Sequence, residues 1–135
     1  MEKVENCLKT KCGPSMEAYT MFILEMAIKY SKQIKKIRDQ KDTGKITKIR
    51  FYEKYDSLLK EAQEDTRYKA YNACARSKCK KAFRDQIKVL IELCEVDEKY
   101  KYYQEVFEEA LRDGGLNADF VKVLKGMRRY FMETA

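Results

Sequence analysis

The sequence contains no histidine, one proline and five glycines among its 135 residues. Without histidine, catalysis by a histidine acid or base and zinc sites with mixed cysteine and histidine ligands are excluded. Because proline and glycine disfavour the interior of a helix, their scarcity leaves few positions at which a helix must end. The alternating β-branched runs that are typical of strands are absent as well. The composition therefore predicts an all-α protein, and the length predicts one domain over residues 1–135.

Long apolar segments are also missing. The longest apolar run, residues 21–28, is interrupted by Glu25 and is far shorter than the ~20 residues that span a bilayer. The first twelve residues, MEKVENCLKTKC, have neither the apolar core of a signal peptide nor the composition of a transit peptide. We therefore expect neither a transmembrane helix nor a cleaved targeting segment.

Motifs for catalysis or cofactor binding are absent from the sequence. It has no glycine-rich phosphate loop and no G-x-S-x-G motif. Residues 112–119 faintly resemble a calcium loop, but they lack glycine at the sixth position, and no glutamate occupies the twelfth. A turn between two helices is the better interpretation of that segment. We therefore predict a protein that is not an enzyme and that has no cofactor and no small-molecule substrate.

Apolar residues recur at three- and four-residue steps along most of the chain, as in helices with one buried face. The strongest pattern predicts one long helix over residues 68–94, with Thr66 as its N-cap. Pro14 suits the first turn of the helix before it, where the missing N–H is not needed. About five helices are expected after a short lead-in at 2–12: 15–38, 47–63, 68–94, 98–112 with Asp97 as N-cap, and a last helix capped by Asn117. Polar residues 39–45 should form a turn, and Gly114-Gly115 should end the fourth helix.

An internal repeat is visible at a shift of 67 residues. The shift aligns Cys7 with Cys74 and Cys12 with Cys79, and apolar positions follow over residues 7–27 and 74–94. Either a unit of C-x4-C plus helix was duplicated, or helical periodicity alone produces the match.

Five cysteines are present, and four of them form the two C-x4-C pairs. Residues i and i+5 lie about 140° apart on a helix, so the two cysteines of one pair cannot bond each other within an intact helix. Bonds between the pairs are either antiparallel, Cys7 with Cys79 and Cys12 with Cys74, or parallel, and sequence leaves this open. A zinc ion held by the same four cysteines and fully reduced thiols are the alternatives. Cys94 lies on the apolar stripe and is expected to be a free core thiol.

The chain is basic, with 29 Lys and Arg residues against 22 Asp and Glu residues and a formal charge of +7. This favours an anionic partner, which can be nucleic acid, a lipid surface or an acidic protein. The charges are segregated, because residues 29–50 and 67–88 are basic whereas residues 92–113 are mainly acidic. A chain of this kind can dock onto copies of itself or onto oppositely charged neighbours.

Ten tyrosines accompany these charges. Beside lysine and arginine, tyrosine rings can stack on the bases of single-stranded nucleic acid. Tyrosine is also typical of protein interfaces, where its ring is buried and its hydroxyl lies at the rim, and we favour this interpretation. The tyrosines assigned to an interaction surface are Tyr100, Tyr102 and Tyr103.

The two C-x4-C patterns on basic helices resemble those of small helical minor capsid proteins of large icosahedral double-stranded DNA viruses. The resemblance implies a structural protein of the virion that is assembled in the host cytoplasm, where a viral thiol oxidase allows disulfides without a signal peptide. It also implies a place beneath the capsomers of the major capsid protein, between the shell and an inner membrane. Contacts with neighbouring proteins or acidic lipid head groups are then expected at Lys29, Lys32, Lys35, Lys36, Lys41 and Arg50.

Two other functions compete with the capsid interpretation. Twin-cysteine helical proteins of the mitochondrial intermembrane space also pair cysteines between helices and lack a signal peptide, but they usually have C-x3-C or C-x9-C spacing. A basic nucleic-acid-binding module would bind with an affinity that falls steeply as salt increases. A deep cleft lined by converging polar groups would argue against all purely structural interpretations.

Overall fold

The computed structural model describes residues 2–112 and 119–134, and these residues form helices joined by short connections, with no strand among them. The predicted all-α class is confirmed, but these residues form eight α-helices rather than about five. The helices are α1 (Glu2–Lys11), α2 (Gly13–Lys29), α3 (Ser31–Asp42), α4 (Lys48–Leu58), α5 (Thr66–Lys78), α6 (Lys80–Cys94), α7 (Lys101–Leu111) and α8 (Phe120–Thr134). Two short 3-10 helices, Lys60–Glu64 and Glu98–Tyr100, precede α5 and α7.

The additional helices arise where a predicted long helix is interrupted at one residue. Residues 68–94 are divided at Cys79, whose backbone angles of φ −119° and ψ 16° leave the helical range. Residues 15–38 are divided in the same way at Tyr30, with φ −104° and ψ 21°. Hydrogen bonds of helical spacing flank both positions, since the amide of Tyr30 donates to Met26 O at 3.0 Å and the amide of Cys79 donates to Ala75 O at 3.0 Å. Each of these residues therefore closes one helix and begins the next, and the chain bends there.

Side chains cap several helices, and some of these caps differ from the predicted ones. Pro14 lies in the first turn of α2 as predicted, and Asp97 caps the 3-10 helix before α7 by accepting from the amide of Lys99. The N-cap of α5 is Asp65 rather than Thr66, because its carboxylate accepts from the amide of Arg67. Asp119 caps α8, whereas the predicted cap Asn117 and the predicted helix end at Gly114-Gly115 lie outside the described residues.

The core has its most deeply buried side chains where α6, α7 and α8 pack together. Phe83, Tyr103, Phe107 and Met127 are fully buried there, and Phe83 meets Phe120 edge to face at 4.9 Å between ring centres. Gly126 of α8 lies against α7, and a Cβ atom at that position would lie 3.4 Å from the Phe107 ring, in van der Waals contact.

The remaining helices cover this core. A second group of buried aromatic rings joins α2 to α5. None of the helices in the described part of the chain is both long and apolar enough to cross a bilayer.

Candidate interaction surfaces

Two disulfides join the C-x4-C segments in the antiparallel register, Cys7 with Cys79 and Cys12 with Cys74. The Cα atoms of the bonded residues are 5.9 and 6.0 Å apart, within the range that disulfides allow. Sulfur atoms bonded in this way are not thiolates, so the alternatives of a four-cysteine zinc site and of fully reduced cysteines are wrong. Among the described residues, no group of three or more potential metal-binding side chains occurs.

The two C-x4-C units have the same local structure. Cys12 and Cys79 are each 1% exposed, and each is the residue at which the chain bends, between α1 and α2 and between α5 and α6. The Sγ atom of Cys7 lies 3.5 Å from Lys78 O, and in the equivalent contact the Sγ atom of Cys74 lies 3.6 Å from Lys11 O. The predicted duplication stays a prediction, but the contacts between the units are reciprocal.

The disulfides hold α1 onto the rest of the molecule. This helix has only ten residues, too few to be stable alone, and it contributes Val4 and Leu8, each 1% exposed, to the core. Together with these apolar contacts, the two bonds fix α1 against α5 and α6.

Cys94 is the fifth cysteine, and it is unpaired and buried in the core, as predicted. Burial raises the pKa of its thiol to about 11. The thiol is therefore protonated at neutral pH and shielded from reagents.

Four exposed lysines and the exposed Asp39 line a shallow depression of about 450 Å³ along α3 and the turn after it, and we call this the basic surface. Its lysines are Lys32, Lys35, Lys36 and Lys45.

The chain reverses directly after α3, and this reversal brings Lys45 beside the helix. Gly44 has φ +76°, which favours glycine, and the amide of Lys45 donates to Gln40 O at 2.9 Å. The polar turn predicted at residues 39–45 therefore begins later, because α3 continues to Asp42.

Three of the six predicted basic contact residues lie outside the depression and contact other parts of this chain. The Lys41 ammonium is 4.8 Å from the centre of the Phe51 ring and 3.7 Å from an Asp42 carboxylate oxygen. Arg50 forms an ion pair of 2.8 Å with Glu53, and Lys29 lies 5.3 Å from the centre of the Tyr30 ring. The basic surface therefore includes only three of the six basic residues that the sequence analysis predicted as contacts.

The tyrosines of α7 are more buried than an exposed interaction surface requires. Tyr103 is 0% exposed, so its assignment to such a surface is wrong. Its ring centre lies 5.5 Å from that of Tyr102 and 6.0 Å from that of Tyr130, within an aromatic cluster that joins α7 to α8. Tyr102 donates a hydrogen bond to Asp56, and Tyr100 is half-buried beneath the Lys99 ammonium at 4.9 Å. These rings stabilise the fold of the chain itself.

Arg129 forms a charged cluster that the sequence did not indicate. Its Nη1 atom lies 2.9 Å from both carboxylate oxygens of Asp56, and its side chain is only 13% exposed. The guanidinium also lies over two rings of α4, 4.4 Å from the centre of Tyr52 and 5.4 Å from that of Tyr55. The cluster fixes α8 against α4 through one charge pair and two cation–π contacts.

An open cleft of about 580 Å³ lies next to this cluster, and the sequence did not predict it. Two of its tyrosine hydroxyls already donate to carboxylates of this chain, Tyr68 to Asp119 and Tyr102 to Asp56. Burial and these carboxylates raise the pKa values of both hydroxyls. Other polar side chains that line the cleft are Glu53, Lys60, Glu105, Lys122 and Lys125.

Lys125 is a further polar group of the cleft. Burial lowers the pKa of its ammonium, with Asp56 and Asp119 acting to raise it and Arg129 acting to lower it. A lysine with a lowered pKa can act as a base or as a nucleophile. The tyrosine hydroxyls and the Asp56 carboxylate are less available, since hydrogen bonds within the chain hold them.

No protein-family model, curated protein or solved structure was found that matches this chain. Its function is therefore inferred from its own geometry.

Proposed function

We propose that the chain is a non-enzymatic structural component of a larger assembly and that its basic surface binds an acidic surface of a partner protein. The observation that carries the proposal is the clustering of four exposed lysines around one depression along α3 and the turn after it. A helical frame braced by two long-range disulfides presents these lysines, and such a frame loses little conformational entropy on binding.

The most specific form of the proposal is a minor capsid protein of a large icosahedral double-stranded DNA virus. It is supported by the twin C-x4-C segments and by the two disulfides between them. The partners would be the major capsid protein, copies of this chain and acidic lipid head groups, and the location would be the virion.

The intermembrane-space alternative rests on the antiparallel disulfides between helical segments, a pairing that twin-cysteine proteins share. The cysteine spacing argues against it.

The partner can be identified by carbodiimide cross-linking of the native assembly, because this reagent joins lysine amines to carboxylates in direct contact. Cross-links from Lys35, Lys36 and Lys45 to the carboxylates of one protein are expected. Cross-links scattered over many proteins, or none from these lysines, would contradict the proposal.

Binding to the identified partner should then depend on the basic surface. The triple substitution K35E/K36E/K45E should weaken it by at least ~100-fold, since three surface charge pairs become repulsive. The matched control is K81E/K88E/K101E, which changes the same amount of charge at exposed positions of α6 and α7. The control should change the affinity by less than ~3-fold.

Oligonucleotide binding distinguishes the nucleic-acid alternative. A structural protein should not bind single- or double-stranded oligonucleotides at physiological salt. An affinity that falls by ~10³-fold or more between about 50 and 200 mM salt would instead identify a nucleic-acid-binding module.

Lys125 provides a test of the non-enzymatic part of the proposal. If the cleft performed lysine-based chemistry on carbonyl compounds, borohydride would trap a covalent adduct at Lys125 in preference to the other lysines. We expect labelling of Lys125 to be no faster than that of the exposed Lys81 and Lys88.

A further inference from the structure

We propose that two copies of this chain form an antiparallel, two-fold symmetric dimer through an exposed apolar stripe on α2. The stripe consists of Met21, Leu24 and Ile28, which are 59%, 55% and 78% exposed. Their spacing of three and four residues places them on one face of the helix. Water-exposed large apolar side chains that are contiguous along a helix face mark an interaction site.

The stripe is symmetric about its own centre, and this symmetry points to a second copy as the occupant. When two α2 helices pack antiparallel about the midpoint between residues 24 and 25, Met21 of each copy faces Ile28 of the other, and the two Leu24 side chains lie on either side of the axis. A closed two-fold interface requires this self-complementarity, because both partners contribute the same surface.

The charges at the two ends of the stripe follow the same symmetry. Glu17 lies four residues before Met21, and Lys32 lies four residues after Ile28. In the antiparallel arrangement, Glu17 of one copy therefore faces Lys32 of the other, at both ends of the interface. Both side chains are exposed, and neither has an ion pair with another residue in the described ranges.

Lys32 lies in the first turn of α3, directly after the bend at Tyr30. The carbonyl of Tyr30 accepts the first hydrogen bond of this helix from the amide of Ile34, at 3.0 Å. Glu25 is the charged residue next to Leu24 in the sequence. Arg67 of the same chain donates two hydrogen bonds of 3.2 and 3.1 Å to its carboxylate. Glu25 is therefore neutralised within the chain, and Glu17 and Lys32 remain to specify the antiparallel direction.

This inference goes beyond the proposed function, since it concerns the apolar face of α2; the two surfaces share only Lys32. Its test also has different variants and a different readout, because K35E/K36E/K45E changes no residue of the stripe. Partner binding that K35E/K36E/K45E leaves unchanged, with an intact dimer, would contradict the proposed function only. A monomeric wild-type chain that binds its partner through the basic surface would contradict the dimer only.

Sedimentation equilibrium of the oxidised chain should show a reversible monomer–dimer equilibrium with no larger species. Leu24→Glu should weaken the dimer by ~10-fold or more, because it places a charged side chain where each copy would bury a leucine. Met132→Glu is the control, since Met132 is 73% exposed on α8, and it should leave the equilibrium unchanged.

A charge exchange tests the antiparallel register itself. Glu17→Lys and Lys32→Glu should each weaken the dimer, since each places two like charges together, and the double variant E17K/K32E should restore it. A monomeric wild-type chain, a series of growing oligomers, or failure of the double variant to restore the dimer would each overturn the proposal.

Discussion

Removal of one disulfide is expected to lower the free energy of unfolding by less than half as much as removal of both, because the two bonds are nested. Cys12 and Cys74 are separated by 62 residues and lie inside the loop between Cys7 and Cys79, which are separated by 72 residues. The first bond to form closes a loop of more than sixty residues in the unfolded chain. The second bond then closes a loop of only about ten residues, since the separations differ by ten.

Loop-closure entropy gives the magnitudes. A first loop of this length restricts the unfolded chain by about 4.3 kcal/mol, and a second loop of about ten residues adds about 2.7 kcal/mol. Loss of either bond alone should therefore cost about 2.7 kcal/mol, and loss of both about 7 kcal/mol. The double loss exceeds the sum of the single losses by about 1.6 kcal/mol.

The variants C7A/C79A, C12A/C74A and the fourfold alanine variant form the required thermodynamic cycle. The two pairs are well matched, because each contains one cysteine that is 1% exposed and one that is half-buried. Cavity costs are therefore similar in both pairs, and to a first approximation they cancel in the cycle.

Urea unfolding followed by circular dichroism gives the free energy of unfolding for each variant. Losses that add up without an excess would refute the nested-loop reasoning. A fourfold variant within 1 kcal/mol of the wild-type chain would refute the structural role of the disulfides altogether.

Three further predictions follow from the core. Asp56→Ala leaves the Arg129 guanidinium, which is only 13% exposed, without its carboxylate. The substitution should lower the free energy of unfolding in urea by about 3 kcal/mol. The control Asp42→Ala, which removes a surface ion pair, should lower it by less than ~1 kcal/mol. The Cys94 thiol, whose pKa is about 11, should react with a thiol reagent at pH 8 only after unfolding, and rapid labelling of the folded chain would contradict its burial. Burial raises the pKa of Tyr68 and of other core tyrosines above the ordinary 10.0. The free energy of unfolding that these protonated tyrosines contribute should therefore be complete below pH 10 and be lost as the pH rises above it. Tyrosines that all titrate near pH 10 by absorbance would contradict this prediction.

The helical class was predictable because the apolar periodicity is local and the chain has few residues that break helices. The bends were not predictable in the same way. Gly13 and Pro14 mark the start of α2 in the sequence, but no proline or glycine marks the bends at Tyr30 and Cys79. At Cys79 the bend coincides with a disulfide to a residue 72 positions away, a contact that no local pattern indicates.

The cysteine set was predictable from its spacing, whereas the register of the bonds depends on how α1 crosses α5 and α6. The Asp56–Arg129 pair joins residues 73 positions apart, and no local pattern connects them. Tyr103 illustrates a different error, since its residue type suggested an interface although it lies three and four residues before the buried Val106 and Phe107 of α7. Periodicity was the better guide, because it reflects burial directly.

The connectivity of the disulfides tests the described fold most directly, and tryptic mapping under non-reducing conditions can determine it. Trypsin cleaves after Lys9, Lys11, Arg76 and Lys78, so each of the four bonded cysteines falls in a separate peptide. The account predicts that VENCLK is linked to the dipeptide CK and that the peptide beginning CGPSMEAY is linked to AYNACAR, with Cys94 free. The opposite pairing, or free thiols at all five cysteines, would contradict it.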